Sequence, residues 1–173
     1  FLKNNQLSVC GSYVHEVDQQ GICFGIRMVP LSQHAIREGA RIRSPFNHMT
    51  VAFETSVFLG VGGYPNMFLK EDYALWAKLI ASGARVGNIP EVLVTATAGN
   101  AMIRRRGGLK YLKSEFSLFR LLHSLEISNP ISGFFILLSR IFAFSLPPYF
   151  RSLIYKFFLR KNDMSAEKSM TTE

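Results

Sequence analysis

Cysteines, acidic side chains and long uncharged runs are all scarce in this sequence, and each scarcity removes a class of protein. Only Cys10 and Cys23 occur in 173 residues, which excludes the disulfide framework that holds many small secreted domains together. If Val17 pairs with Ile22 across the turn Asp18 to Gly21, Cys10 falls opposite Val29 and far from Cys23, so both thiols are expected to stay free. The uncharged run that starts at Ile127 stops at Ser139, before Arg140. A helix needs about 20 apolar residues to cross a bilayer, so this run is too short. The sequence opens at Phe1, inside an apolar and basic pattern, and is expected to be a piece of a longer chain.

Acidic residues number 12 against 20 Lys and Arg, for a formal net charge of +8. The excess is local, because residues 104–173 hold 12 of the cations and 5 of the acids, and therefore carry +7. A basic excess confined to one end and mixed with Phe and Leu suits an anionic membrane surface. No nucleic-acid partner is expected, since the aromatics lie on apolar stripes and not between the basic residues of an exposed sheet. The apolar content of 48% is ample for one core.

Periodicity divides the chain. Val9, Ser12, Val14 and Val17 precede a turn, and Ile22, Phe24, Ile26 and Met28 alternate after it, which predicts a hairpin at a sheet edge. Ser32 is placed to cap a helix running to about Arg43, where Ser44-Pro45 ends it. Met49, Val51 and Phe53 alternate over His48 to Thr55 and predict a strand. A short helical turn around Val57 to Gly60 leads into Gly62-Gly63-Tyr64-Pro65. From Lys70, the positions Leu75, Trp76, Leu79 and Ile80 fall at helical spacing, with Gly83 placed to stop the helix. Val86 to Thr95, interrupted at Pro90, supplies one or two short strands.

Beyond Gly107-Gly108 the pattern is helical. Leu109, Leu112, Phe116, Phe119 and Leu122 form one stripe over Leu109 to Leu125, Asn129-Pro130 breaks it, and a second apolar segment runs from Ile131 to Phe150. Arg151, Lys156, Arg160 and Lys161 then interleave with Ile154, Phe157 and Phe158. The expected organisation is an α/β part over residues 1–103, a basic, aromatic-rich helical region over 104–161 and a disordered tail over 162–173. The helices can lie in a membrane interface or pack back on the α/β part, and the pattern serves both.

The order Gly62-Gly63-Tyr64, then Glu71-Asp72-Tyr73-Ala74-Leu75-Trp76, then Asn88-Ile89-Pro90-Glu91-Val92-Leu93-Val94 is specific where each piece alone is not. With Pro45-Phe46-Asn47-His48-Met49-Thr50-Val51, it resembles the C-terminal half of the catalytic domain in family 2 glycosyltransferases of the GT-A type. The resemblance covers about Phe1 to Tyr111 and is strongest with enzymes that build bacterial exopolysaccharide and O-antigen, the amylovoran type included. It implies the acceptor-side part of a Rossmann-like domain with a mixed sheet, followed by amphipathic helices. It also implies a nucleotide-sugar donor, a saccharide or polyprenyl-linked acceptor and a peripheral location at the cytoplasmic face of the cell membrane. Asp72 would be the base of an inverting displacement, with Glu71 orienting it or touching the acceptor. Such enzymes hold a divalent metal, Mg or Mn, through an Asp-x-Asp motif. None occurs in this sequence, so no metal ligand is assigned and these residues alone are expected to be inactive.

The chemistry supports that mapping. A sugar hydroxyl is a poor nucleophile and needs a base within hydrogen-bond reach, and a helix N-terminus keeps a carboxylate ionised. Equally, acidic residues commonly do no more than complement a helix start. Trp76, one turn beyond Asp72, offers an acceptor an aromatic wall or belongs to the core. His48, ahead of a strand that ends near the cleft, contacts acceptor or phosphate, or is structural. Gly62 and Gly63 let backbone pass close to an acceptor or form a plain turn. Arg104 and Arg105, beside Gly107-Gly108, can clamp a diphosphate or form a solvated basic turn facing lipid.

Overall fold

Valines 9, 14 and 17 with Tyr13 make a strong strand-former of β1 (Val9–Val17), and the rest of the sheet is assembled on it. The computed structural model describes residues 6–97 and 108–146. β1 pairs in parallel with β4 (Val86–Thr97) along one edge. Along the other it pairs antiparallel with β3 (Ala52–Phe53) and then β2 (Cys23–Arg27). The sheet is therefore mixed, and the fold is α/β. Only the β2 half of the predicted hairpin lies at an edge, because β1 has neighbours on both sides.

The hairpin register differs from the expected one. Asp18 Oδ1 accepts from the N–H groups of Gln20 and Ile22, both at 2.9 Å, so Ile22 is used in the turn and Val17 pairs with Cys23 across a bulge. Cys10 sits beside Ala52, and both cysteines are free, Cys10 buried and Cys23 exposed.

Two further strand expectations are corrected. Residues 48–55 form a 3-10 turn (His48–Thr50), the two residues of β3 and the start of α2 (Thr55–Gly60). The Thr50 hydroxyl explains this, since it donates to Asn47 O at 2.8 Å and accepts Ser12 N–H at 2.9 Å, replacing a ladder bond by a side-chain bond. Conversely, Pro90 does not break β4, which is one strand of 12 residues. The register against β1 shifts on both sides of Tyr13, from Ser12–Ile89 through Tyr13–Val92 to Val14–Val94, so the proline falls in a bulge that needs no donor from it.

Ser32 caps α1 (Gln33–Gly39) by accepting Ala35 N–H at 3.2 Å, and the helix gives way to turns before Arg43. In α3 (Glu71–Ala81) the face carrying Leu75, Trp76, Leu79 and Ile80 is buried. Gly83, at φ +81°, closes it with its N–H on Ile80 O, and the next amide reaches Leu79 O.

Helices α4 (Leu109–Ser124) and α5 (Pro130–Ser145) pack on the α/β part, with Leu118, Leu122 and Ile127 in one core cluster with Val9, Ile36, Phe46 and Trp76. Asn129 Oδ1 caps α5 on Ser132 N–H at 2.8 Å, and Pro130 occupies its first turn. The buried face of α4 is not the predicted stripe. Tyr111, Ser114, Glu115, Leu118 and Leu122 face inward, while Leu109 and Phe116 are 78% and 52% exposed. The inward face also brings Glu115 to two cations, Lys70 and Arg140, a long-range pairing that hydropathy does not record. The tail 162–173 and the arginines at 104–106 lie outside the described residues.

Candidate active site

The loop between α2 and α3 aims the site. Gly62 and Gly63, at φ +80° and +65°, close α2 by donating to Leu59 O and Phe58 O, both at 3.0 Å. A Cβ on Gly63 would lie 3.1 Å from the Phe58 ring, whereas one on Gly62 would meet nothing within 4 Å. Gly63 is thus a packed turn residue, and only Gly62 leaves its backbone open to an approaching ligand.

The turn delivers Tyr64 to the surface. Its ring meets Phe58 at 5.5 Å and His48 at 6.1 Å, both edge-on, and 43% of it remains exposed. Seven residues later the chain enters α3 with Glu71 and Asp72 in the first turn. Glu71 is exposed and Asp72 half-buried, with Asp72 Oδ1 accepting Tyr73 N–H at 2.7 Å. Partial burial, followed by the charges of Asp72 and Glu71, pushes the Tyr64 phenol above its ordinary range. Tyr64 is therefore electrostatically next to both carboxylates.

Tyr64 thus touches His48 through its ring and feels the charges of Asp72 and Glu71. Trp76 is different. It is 0% exposed, packed against Phe46 at 5.4 Å, His48 at 6.2 Å and Phe53 at 6.3 Å. The aromatic wall expected of it is not available, because its position on the inward face of α3 makes it core. His48 keeps an exposed ring that rests on this floor. Arg104 and Arg105, expected at a diphosphate, lie outside the described residues.

Behind the carboxylates stands a buried ion cluster that the sequence reading missed. Glu115, 0% exposed, pairs with Lys70 Nζ at 2.6 Å and with Arg140 Nη1 at 3.0 Å. Burial alone would raise the Glu115 carboxyl, but Lys70 and Arg140 outweigh it and hold the group below the usual carboxylate range. Arg140 also donates to Ile42 O and lies 3.4 Å from the Tyr73 hydroxyl, which itself donates to Ala40 O at 2.7 Å. Lys70 Nζ sits 4.9 Å from the centre of the Tyr111 ring. Since Lys70 immediately precedes Glu71, the cluster fixes the start of α3 to α4 and α5. A small cavity beside it, lined by Arg41, Glu115, Phe119, Leu122, Ser128 and Arg140, is a packing gap that includes neither Glu71 nor Asp72.

Among the described residues, no three His, Cys, Asp or Glu side chains stand together to hold a metal ion. The divalent metal that the resemblance implies therefore has no donor set here, and no step below passes through it.

Comparison with known proteins bears on the class of the chain. The chain is 42% identical over 135 residues to an uncharacterized glycosyltransferase of Haemophilus influenzae, an overlap covering 78% of this chain and 50% of that protein. It is 38% identical over 170 residues to the UDP-Gal:alpha-D-GlcNAc-diphosphoundecaprenol beta-1,3-galactosyltransferase of Escherichia coli, covering 92% of this chain and 58% of the relative. It is 33% identical over 151 residues to an amylovoran biosynthesis glycosyltransferase of Erwinia amylovora, covering 87% and 56%. No family model and no solved structure matches. The chain spans about half the length of these curated relatives. Over most of its own length, then, it is a relative of bacterial glycosyltransferases that include polysaccharide-building enzymes.

Proposed function

We propose that this chain is the acceptor-side part of an inverting family 2 glycosyltransferase of the GT-A type, acting in exopolysaccharide or O-antigen synthesis. The full-length protein would move a hexosyl group from a nucleotide-sugar to a hydroxyl of a saccharide, most simply one carried on a polyprenyl diphosphate, as in the name of the Escherichia coli relative. The observation that carries the proposal is the placement of Asp72, half-buried in the first turn of α3 next to exposed Glu71 and within electrostatic reach of exposed Tyr64.

In this reading Asp72 takes the proton of the acceptor hydroxyl as its oxygen bonds to the anomeric carbon, while the bond from that carbon to the nucleoside diphosphate breaks on the opposite face. The N-terminus of α3 favours the ionised carboxylate that must receive the proton. Glu71 accepts a hydrogen bond from a neighbouring hydroxyl and so orients the sugar. Donor binding and the divalent metal belong to the remainder of the full-length protein, so these residues by themselves would not turn over. Asp72→Asn in the full-length enzyme should lower turnover by about 10²–10⁴-fold and leave donor binding within about twofold. Retained turnover would refute the assignment.

The protein is proposed to sit peripherally on the inner face of the cell membrane. Ile131, Phe134, Phe135, Leu138 and Phe142 form an exposed row on α5, and the exposed face of α4 carries Lys110, Lys113 and Arg120. That pairing of apolar and cationic surface suits an anionic interface. None of the described helices is long and apolar enough to cross a membrane. The same row supports a second reading, a non-catalytic membrane-associating module, and activity loss in Asp72→Asn separates the two.

A further inference from the structure

A pyranose ring presents an apolar face of C–H groups surrounded by hydroxyl donors. A site that holds one therefore needs a flat apolar plate with hydrogen-bond acceptors at its rim. One place among the described residues meets both demands. Tyr64 is an exposed aromatic ring whose position is set from the side by Phe58 and His48, which leaves 43% of it uncovered. Its direction is fixed by two successive residues at positive φ, Gly62 and Gly63. Glu71 and Asp72, which open the helix that follows this turn and whose charges reach the phenol, are acceptors only.

Other ligand chemistries fit less well. Two carboxylates repel a phosphate or another anion. A metal ion would want a third His, Cys, Asp or Glu, and none joins them among the described residues. A purely apolar ligand would make no use of either carboxylate. Trp76, the aromatic that the sequence suggests, is enclosed.

We infer that Tyr64 is the plate on which the acceptor sugar rests, a neutral pyranosyl residue whose hydroxyls are held by Glu71 and Asp72. This rests on the glycosyltransferase reading above and adds the substrate-contacting aromatic to it. Tyr64 contributes binding rather than proton transfer, so its aromatic face is what matters and its hydroxyl is secondary.

The test is saturation-transfer NMR on the full-length protein with a panel of methyl hexopyranosides and methyl N-acetylhexosaminides. The parent protein is expected to saturate the C–H protons of one sugar face. Tyr64→Phe keeps the signal, and Tyr64→Ala weakens binding about fivefold. Tyr64→Leu, which retains apolar bulk against Phe58, weakens binding about as much as Tyr64→Ala does and covers the case in which the alanine variant fails to fold. An absent signal in the parent protein, or an unchanged one in Tyr64→Leu, overturns the inference. Asp72→Asn measured alongside separates the two claims. Lost turnover with sugar binding indifferent to Tyr64 sinks only the plate, and retained turnover sinks the catalytic reading beneath it.

Discussion

Replacing Glu115 by glutamine tests the buried ion cluster with a change of a single charge. The carboxylate has no exposure, and its two cations are nearly as enclosed, with side chains 12% exposed for Lys70 and 17% for Arg140. Removing one member of a buried ionic group costs roughly 3–5 kcal/mol, because the partner charges stay desolvated. Here Arg140 keeps its bonds to Ile42 O and Tyr73, and Lys70 keeps the Tyr111 ring, so the lower end of that range applies, about 3 kcal/mol. For a chain of this size each kcal/mol is worth about 2–4 °C, so Tm should fall by about 6–12 °C in thermal unfolding followed by circular dichroism. The pH dependence adds a second arm. The folded carboxyl titrates below its usual 4.5, so its stabilisation is complete above the unfolded value and is lost as pH falls through the folded one. Parent and Glu115→Gln should therefore differ fully at pH 7 and converge in acid. A variant within about 0.5 kcal/mol of the parent at pH 7, or a difference that ignores pH, would show that the cluster holds nothing together.

Other consequences are as direct. Gly63→Ala forces a side chain into a left-handed backbone and to within 3.1 Å of the Phe58 ring, and should cost about 1–2 kcal/mol in urea unfolding, with a smaller loss at Gly62, where space is open. The double variant Phe135→Asp and Phe142→Asp alters residues 65% and 69% exposed, so it should leave Tm unchanged. It should abolish co-sedimentation with anionic vesicles if α5 is the membrane-facing element. Binding that survives that change would move the membrane contact elsewhere.

What could be read from the residues was whatever local chemistry decides. Ser32 announces a cap, Gly83 a stop, and the period of Leu75, Trp76, Leu79 and Ile80 an inward helix face, and all three hold. The class was legible from Gly62-Gly63-Tyr64 followed by Glu71-Asp72, and the curated relatives are glycosyltransferases. What failed was decided by partners distant in sequence. Thr50 bonds to Ser12 across 38 positions and turns a predicted strand into a 3-10 turn. Glu115 finds Lys70 and Arg140 on the inward face of α4. Trp76 stood open between acceptor wall and core, because periodicity shows that a side chain faces inward but not how deep it lies, and its enclosure decides for the core. Tyr64 stood in the quoted motif unassigned, and its one signal was an aromatic placed by two glycines ahead of an acidic pair.

Lys70 ties two parts of the molecule that a sequence-based boundary at Gly107-Gly108 would have cut apart. A shortened protein ending ahead of α4 would discard Glu115, Tyr111 and the core residues Leu118, Leu122 and Ile127, and the residue next to the acidic pair would lose its anchor. The basic helices are accordingly the back wall of the loop ahead of α3, whatever they do at a lipid surface. Trimming them for solubility would sacrifice the geometry one hoped to study.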